Sequence, residues 1–199
     1  MANLITLTDY KEAKGLQGMK DDSQLTILID SVSQLVKTYC NNDIVDHYSG
    51  SGLTEKFNIH YGETFIQLSQ CPVVSIRSVH EREGPSETFS SSNELVANTD
   101  FYHDTTTDSV YRINSGGNTI PFKSGVATVQ VTYNSGYASV PADLKLAVID
   151  LITYYHKDEH KTRQTIAGAS LQNQGTTSQR GNVGFPDHIK RVLDLYKNY

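Results

Sequence analysis

Two histidines four residues apart, in His156-Lys157-Asp158-Glu159-His160, are the chain's nearest approach to a metal site. On a helix, i and i+4 share a face, and two imidazoles so placed can bind zinc. The zincin pattern needs a Glu directly after the first His, and here Lys157 stands there. No third ligand is spaced nearby. The plainer reading is a helix C-terminus, where His and Lys complement the negative end of the dipole. Serines are plentiful, but no GxSxG nucleophile elbow occurs. The Walker phosphate loop is absent, and Ser115-Gly116-Gly117-Asn118 reads as a hairpin turn. Glu81, Glu83 and Glu87 flank Gly84-Pro85, and Asp100, Asp104 and Asp108 surround Thr105-Thr106-Thr107. Paired carboxylates can perform acid–base work or bind cations. Between turn residues both groups read first as solvated loops. Tyr61, Tyr102, Tyr111, Tyr133 and Tyr137 could form a ligand platform, although aromatics in strands usually serve packing. No segment stands out as a catalytic site, and no cofactor or metal is predicted.

Apolar spacing places these residues on elements. Leu25, Leu28, Ile29, Val32, Leu35, Val36 and Tyr39 form one face of a helix over about 22–39, stopped by Asn41-Asn42. Asp21 or Asp22 is its expected cap. A shorter helix over about 8–14 ends at Gly15. From about 54 to 133 the period falls to two, with strands predicted at 55–61, 64–68, 73–79, 109–113 and 127–133. Gly-, Ser- and Asn-rich turns separate them, which reads as a small antiparallel sheet or sandwich. Leu144, Ala147, Val148, Leu151, Ile152 and Tyr155 restore the helical period over about 141–158, with Pro141 suited to the first turn. Residues 162–186 have no period, four glycines, two arginines and no acid. A short amphipathic helix over about 187–197 follows and needs a surface for its apolar stripe.

The expected fold class is α+β: a helical bundle with an inserted small antiparallel β module and an extended C-terminal arm ending in a short helix. The expected divisions are N-terminal bundle helices at 1–48, the β module at 49–138, a bundle helix at 139–161, and the arm with its terminal helix at 162–199. The 199 residues suffice for a sizeable core. At 37% hydrophobic and 20% charged, they fit a soluble and rather polar globule. No apolar run approaches the roughly 18 residues of a membrane span, and the N-terminus lacks the pattern of a signal peptide. Cys40 and Cys71 form no CxxC pair and are expected to be reduced structural thiols. The net charge of −5 argues against a nucleic-acid reader with a basic footprint. Residues 1–48 carry 4 basic and 7 acidic groups, 49–140 carry 5 and 9, and 141–199 carry 8 and 6. An acidic body with a mildly basic end suits docking or self-assembly.

One ordered set of motifs goes further. Val131-Thr132-Tyr133-Asn134-Ser135-Gly136-Tyr137 ends a strand in V-x-Y and a G-Y turn. Val140-Pro141-Ala142-Asp143-Leu144-Lys145-Leu146-Ala147-Val148 then opens a helix as V-P-x-D-L-x-x-A-V. Asp21-Asp22, the helix reaching Tyr39-Cys40, and Cys71-Pro72-Val73-Val74-Ser75-Ile76-Arg77-Ser78-Val79 precede them in order. Over about residues 6–160 this set resembles the head–tail connector proteins of tailed bacteriophages, also called adaptor or head-completion proteins.

The resemblance implies a structural virion protein without enzyme activity, made in the host cytoplasm and located in the neck between head and tail. Such proteins form a ring, commonly of twelve copies, beneath the portal protein. They extend the DNA channel and present a docking surface to stopper or tail proteins. Genomic DNA would pass without sequence-specific binding, and no membrane is involved. Family C-terminal segments often clasp the portal. By that likeness Arg163, Arg180, Phe185, Ile189, Val192, Leu193 and Tyr196 are the candidate portal-binding residues. Removing everything after Lys161 is then expected to leave the fold intact and to abolish docking. Two other readings compete: a virion adhesion protein binding through its β module, and a zinc hydrolase using His156 and His160.

Overall fold

The computed structural model describes residues 2–157, 164–166, 169–171 and 185–198. It is a mixture of α and β structure that divides into two compact units, residues 43–138 and residues 1–42 with 139–199.

The helical unit holds α1 (Leu7–Lys14), α2 (Asp22–Cys40), α3 (Ala142–His156) and α4 (Asp187–Asp194). Thr6 starts α1 with a reciprocal cap: its hydroxyl accepts from Asp9 N–H at 3.1 Å, and the Asp9 carboxylate accepts from Thr6 N–H at 2.9 Å. Gly15, at φ +63°, ends it. Asn41 ends α2 in the same left-handed conformation. Asp21 stands at the α2 N-cap without a capping side-chain bond, so that expected cap is not made. The period-3.6 residues Leu25, Ile29, Val32 and Val36 of α2 are buried, as are Leu144, Val148, Leu151 and Ile152 of α3, whose helix α2 packs against. Two short strands, Gln164–Ile166 and Ala169–Leu171, pair antiparallel in the stretch expected to be aperiodic.

In the β unit, β1 (Leu53–Ile59), β6 (Gly125–Ser135) and β3 (Val73–Glu81) form one antiparallel sheet with β6 in the middle. A second antiparallel sheet orders β2 (Phe65–Gln67), β5 (Ser109–Arg112) and β4 (Phe101–Asp104). The strands at 164–166 and 169–171 are therefore β7 and β8. Both sheets contribute to one core, in which Val79, Val110, Val129, Val131 and Tyr133 are fully buried. Alternation along β6 explains this, since Val129, Val131 and Tyr133 share one face. Arg112 of β5 and Glu81 of β3 form an ion pair at 3.3 Å with little exposure of either side chain. The sequence places Glu81 in a solvated loop. In the structure it closes β3 and is buried, its other oxygen accepting from Lys123 N–H at 2.8 Å. β4 was not among the expected strands.

Candidate functional site

The motif that opens the resemblance has a physical reason at nearly every position. Tyr133 is fully buried, and its hydroxyl accepts from Gln70 N–H at 3.1 Å. Gly136, at φ +92°, donates its N–H to Pro72 O at 2.8 Å, and a Cβ there would overlap the Ile44 carbonyl oxygen. That same Ile44 oxygen accepts from Tyr137 N–H at 2.7 Å. Only glycine fits so close an approach at positive φ. Pro141 takes the N-cap of α3, one residue before the helix, and its carbonyl accepts from Lys145 N–H at 2.8 Å. Asp143 sits in the first turn, where a carboxylate suits the helix dipole. Lys145 reaches back to α1 and donates to Asp9 Oδ1 at 2.7 Å. That bond and the Thr6 cap hold the Asp9 carboxyl down at about 2.

The candidate portal-binding residues fall into two groups. Arg163 and Arg180 lie outside the described residues. Phe185, Ile189 and Leu193 are buried, and Val192 and Tyr196 are half-buried. Helix α4 packs on α2 and α3. The Phe185 ring meets Tyr39 edge-on at 5.0 Å. The end of α2 is tied to α4 by Tyr39 Oη donating to Asp194 at 2.6 Å and by Asn198 N–H donating to Cys40 O at 2.8 Å. Tyr196 Oη donates to Asp143 of α3 at 2.6 Å. The apolar stripe of this short helix therefore finds its surface in its own chain. The expectation that a cut after Lys161 spares the fold is corrected: that cut removes three side chains from the core.

The other chemical candidates are dispersed. His156 is half-buried in the last turn of α3, and His160 lies outside the described residues. Among the described residues no three His, Cys, Asp or Glu side chains come together as a metal site, and no helix is long and apolar enough to cross a membrane. The acids near β4 and β5 organise turns. Asp104 accepts from Thr106 N–H at 2.9 Å, Asp100 from Val96 N–H at 2.9 Å, and Asp108 from Val73 N–H at 3.0 Å. Cys40 is buried and Cys71 half-buried, and no disulfide joins them. Burial pushes their thiols up, to about 11 and about 12.

Of the platform tyrosines, Tyr133 is core, Tyr61 is fully exposed in a turn after β1, and only Tyr102 and Tyr111 come together. Sequence reading missed their neighbour Phe65. Its signal was the alternation in Thr64-Phe65-Ile66-Gln67-Leu68, which puts Phe65 on the face opposite Ile66.

The family model described as "Head completion protein" matches residues 3–199. The head completion protein of Escherichia phage T5 is 22% identical over 196 residues, covering 98% of each chain. Solved neck structures share the fold, among them two from gene transfer agent particles. One is a chain from the neck of an empty gene transfer agent particle, with C6 symmetry: TM-score 0.60, 12% identity, 98% of this chain and 90% of that one. The other is from the native particle's neck, with C12 symmetry: TM-score 0.56, 13% identity, 100% and 96%. Matched across nearly its whole length, the chain belongs to the head completion protein family.

Proposed function

We propose that the protein is a structural head–tail connector of a phage virion that assembles as a ring beneath the portal protein once the head is filled. The ring extends the DNA channel and offers the surface on which stopper or tail proteins dock. The observation that carries this reading is the family match over residues 3–199. The C6 and C12 symmetries of the neck structures that share its fold support a cyclic assembly, and the C12 one fits a ring of about a dozen copies. The role is one of assembly, without turnover.

The charge agrees. A chain of net −5, repeated around a ring, surrounds the channel with negative potential. DNA phosphates meet like charge, and a genome leaving the head slides without sticking. On this reading the portal contact belongs to the segment holding Arg163 and Arg180. Phe185, Ile189, Val192, Leu193 and Tyr196 serve it by fastening α4 to α2 and α3, with the half-buried Val192 and Tyr196 nearest to a partner.

The test is reconstitution. DNA-filled heads made without this protein are mixed with purified full-length chain and then with tails. Tail joining and infectivity that depend on the added chain support the connector role. Heads that accept tails equally well without it overturn that role.

A further inference from the structure

Three aromatic side chains form a row across the outer face of the second sheet. Phe65 of β2 stands opposite Tyr111 of β5, and Tyr111 opposite Tyr102 of β4. Directly opposed residues share a face. The Phe65 and Tyr111 rings stack with centroids 5.6 Å apart. Phe65 is 46% exposed and Tyr102 51%. The opposite face of the same strands carries Ile66, Val110 and Phe101, all buried. The next row outward, Gln67, Ser109 and Asp104, is polar: Ser109 Oγ donates to Gln67 Oε1 at 2.7 Å. An aromatic row on the wet side of a sheet, rimmed by polar and acidic groups, is the composition of an interface core rather than of a solvated face.

A complementary surface lies on the other unit. The outward side of α4 and its C-cap presents His188, Arg191 and Leu195 at i, i+3 and i+7, opposite the buried Ile189 and Leu193. Leu195 is 76% exposed. Among the described residues neither His188 nor Arg191 has an ion-pair partner. The charges of the units also differ. Residues 43–138 hold 11 acidic and 5 basic groups, a balance of −6, while the remaining residues hold 11 and 12, a balance of +1.

We propose that the Phe65–Tyr111–Tyr102 row of one copy receives the His188–Arg191–Leu195 stripe of a second copy. Leu195 supplies apolar contact at Tyr102, Arg191 lies over the stacked Phe65 and Tyr111 rings, and His188 adds a donor. Pairing the row with itself would set −6 against −6, so the charge selects the unlike surface. Two different patches in contact make a head-to-tail interface, the kind that closes into a ring. This inference rests on the ring reading above and names its subunit contact.

The test is site-directed crosslinking in DNA-filled particles assembled with the full-length chain. The paired variant carries Tyr102→Cys and Leu195→Cys, and a short bismaleimide joins thiols that lie close. Native Cys40 and Cys71 are the wild-type background. A ladder of covalent multimers from the paired variant, with monomer alone from each single variant, is the expected result. A second pair, Phe65→Cys with Arg191→Cys, covers poor incorporation of the first and is expected to give the same ladder. Monomer from both pairs in particles that contain them would overturn this contact while leaving the ring standing. Dimers from Tyr102→Cys alone, or its capture by a different virion protein, would overturn it in favour of a self-pairing face or another partner. Necks holding no cyclic set of this chain would overturn the ring reading and this contact together.

Discussion

Gly136 and Asp9 show how single positions set the two units. At Gly136 the backbone takes φ +92° against the Ile44 carbonyl. Gly136→Ala adds both strain and overlap, and is expected to cost about 2 kcal/mol or more, read as a lowered midpoint in urea unfolding. Asp9 joins the Thr6 cap to Lys145 of α3, and its folded value of about 2 lies below the ordinary 3.8. A lowered carboxylate value stabilises the fold above pH 4, and that contribution fades as pH falls through 2. Asp9→Asn is therefore expected to lose about 1 kcal/mol at pH 7, with the gap to wild type closing towards pH 2 in unfolding curves taken across that range. The G-Y turn was legible as a motif because glycine and turn residues are local signals. Its cause was not, because Ile44 is 92 residues away in sequence. Glu81 was misplaced for the same reason: what buries it is Arg112 on the other sheet.

Elements with a strong internal period were the easiest to read. The helix expected over 22–39 is α2 to within one residue, and that over 141–158 is α3 with its ends trimmed. Their apolar faces are also their buried faces. β4 was invisible because Phe101-Tyr102-His103-Asp104 follows no simple alternation and sits between acids that read as loop. Its strand character comes from pairing with β5. The destination of α4 was equally non-local. A stripe of Ile189, Val192, Leu193 and Tyr196 announces that the helix is covered but does not name the cover, which is α2 and α3 of the same chain. Leu193, with no exposure, is part of that core. Leu193→Ala is expected to destabilise the protein by about 3 kcal/mol, whereas Leu195→Ala changes stability by no more than about 0.5 kcal/mol. Thermal unfolding of the two variants side by side separates the buried stripe from the exposed one. A pair of equal losses would contradict the packing of α4.

Across the whole molecule, the net charge of −5 argued against a basic nucleic-acid reader, and the ordered motifs gave the family that the match over residues 3–199 then showed. The α+β mixture was legible from the switch of period along the chain. The aromatic row proposed to receive a second copy was not, because exposed positions carry no periodic signal and become a patch only when β2, β5 and β4 are paired. The connector role requires assembly on the portal, so native mass analysis of the full-length protein, alone and mixed with purified portal rings, tests it most directly. Capture of about a dozen copies into one discrete complex with the portal is the expected result, as in the C12 symmetry of one neck that shares its fold. A chain whose mass is unchanged by portal, at concentrations where heads accept tails, would contradict the proposal that it forms a ring beneath it.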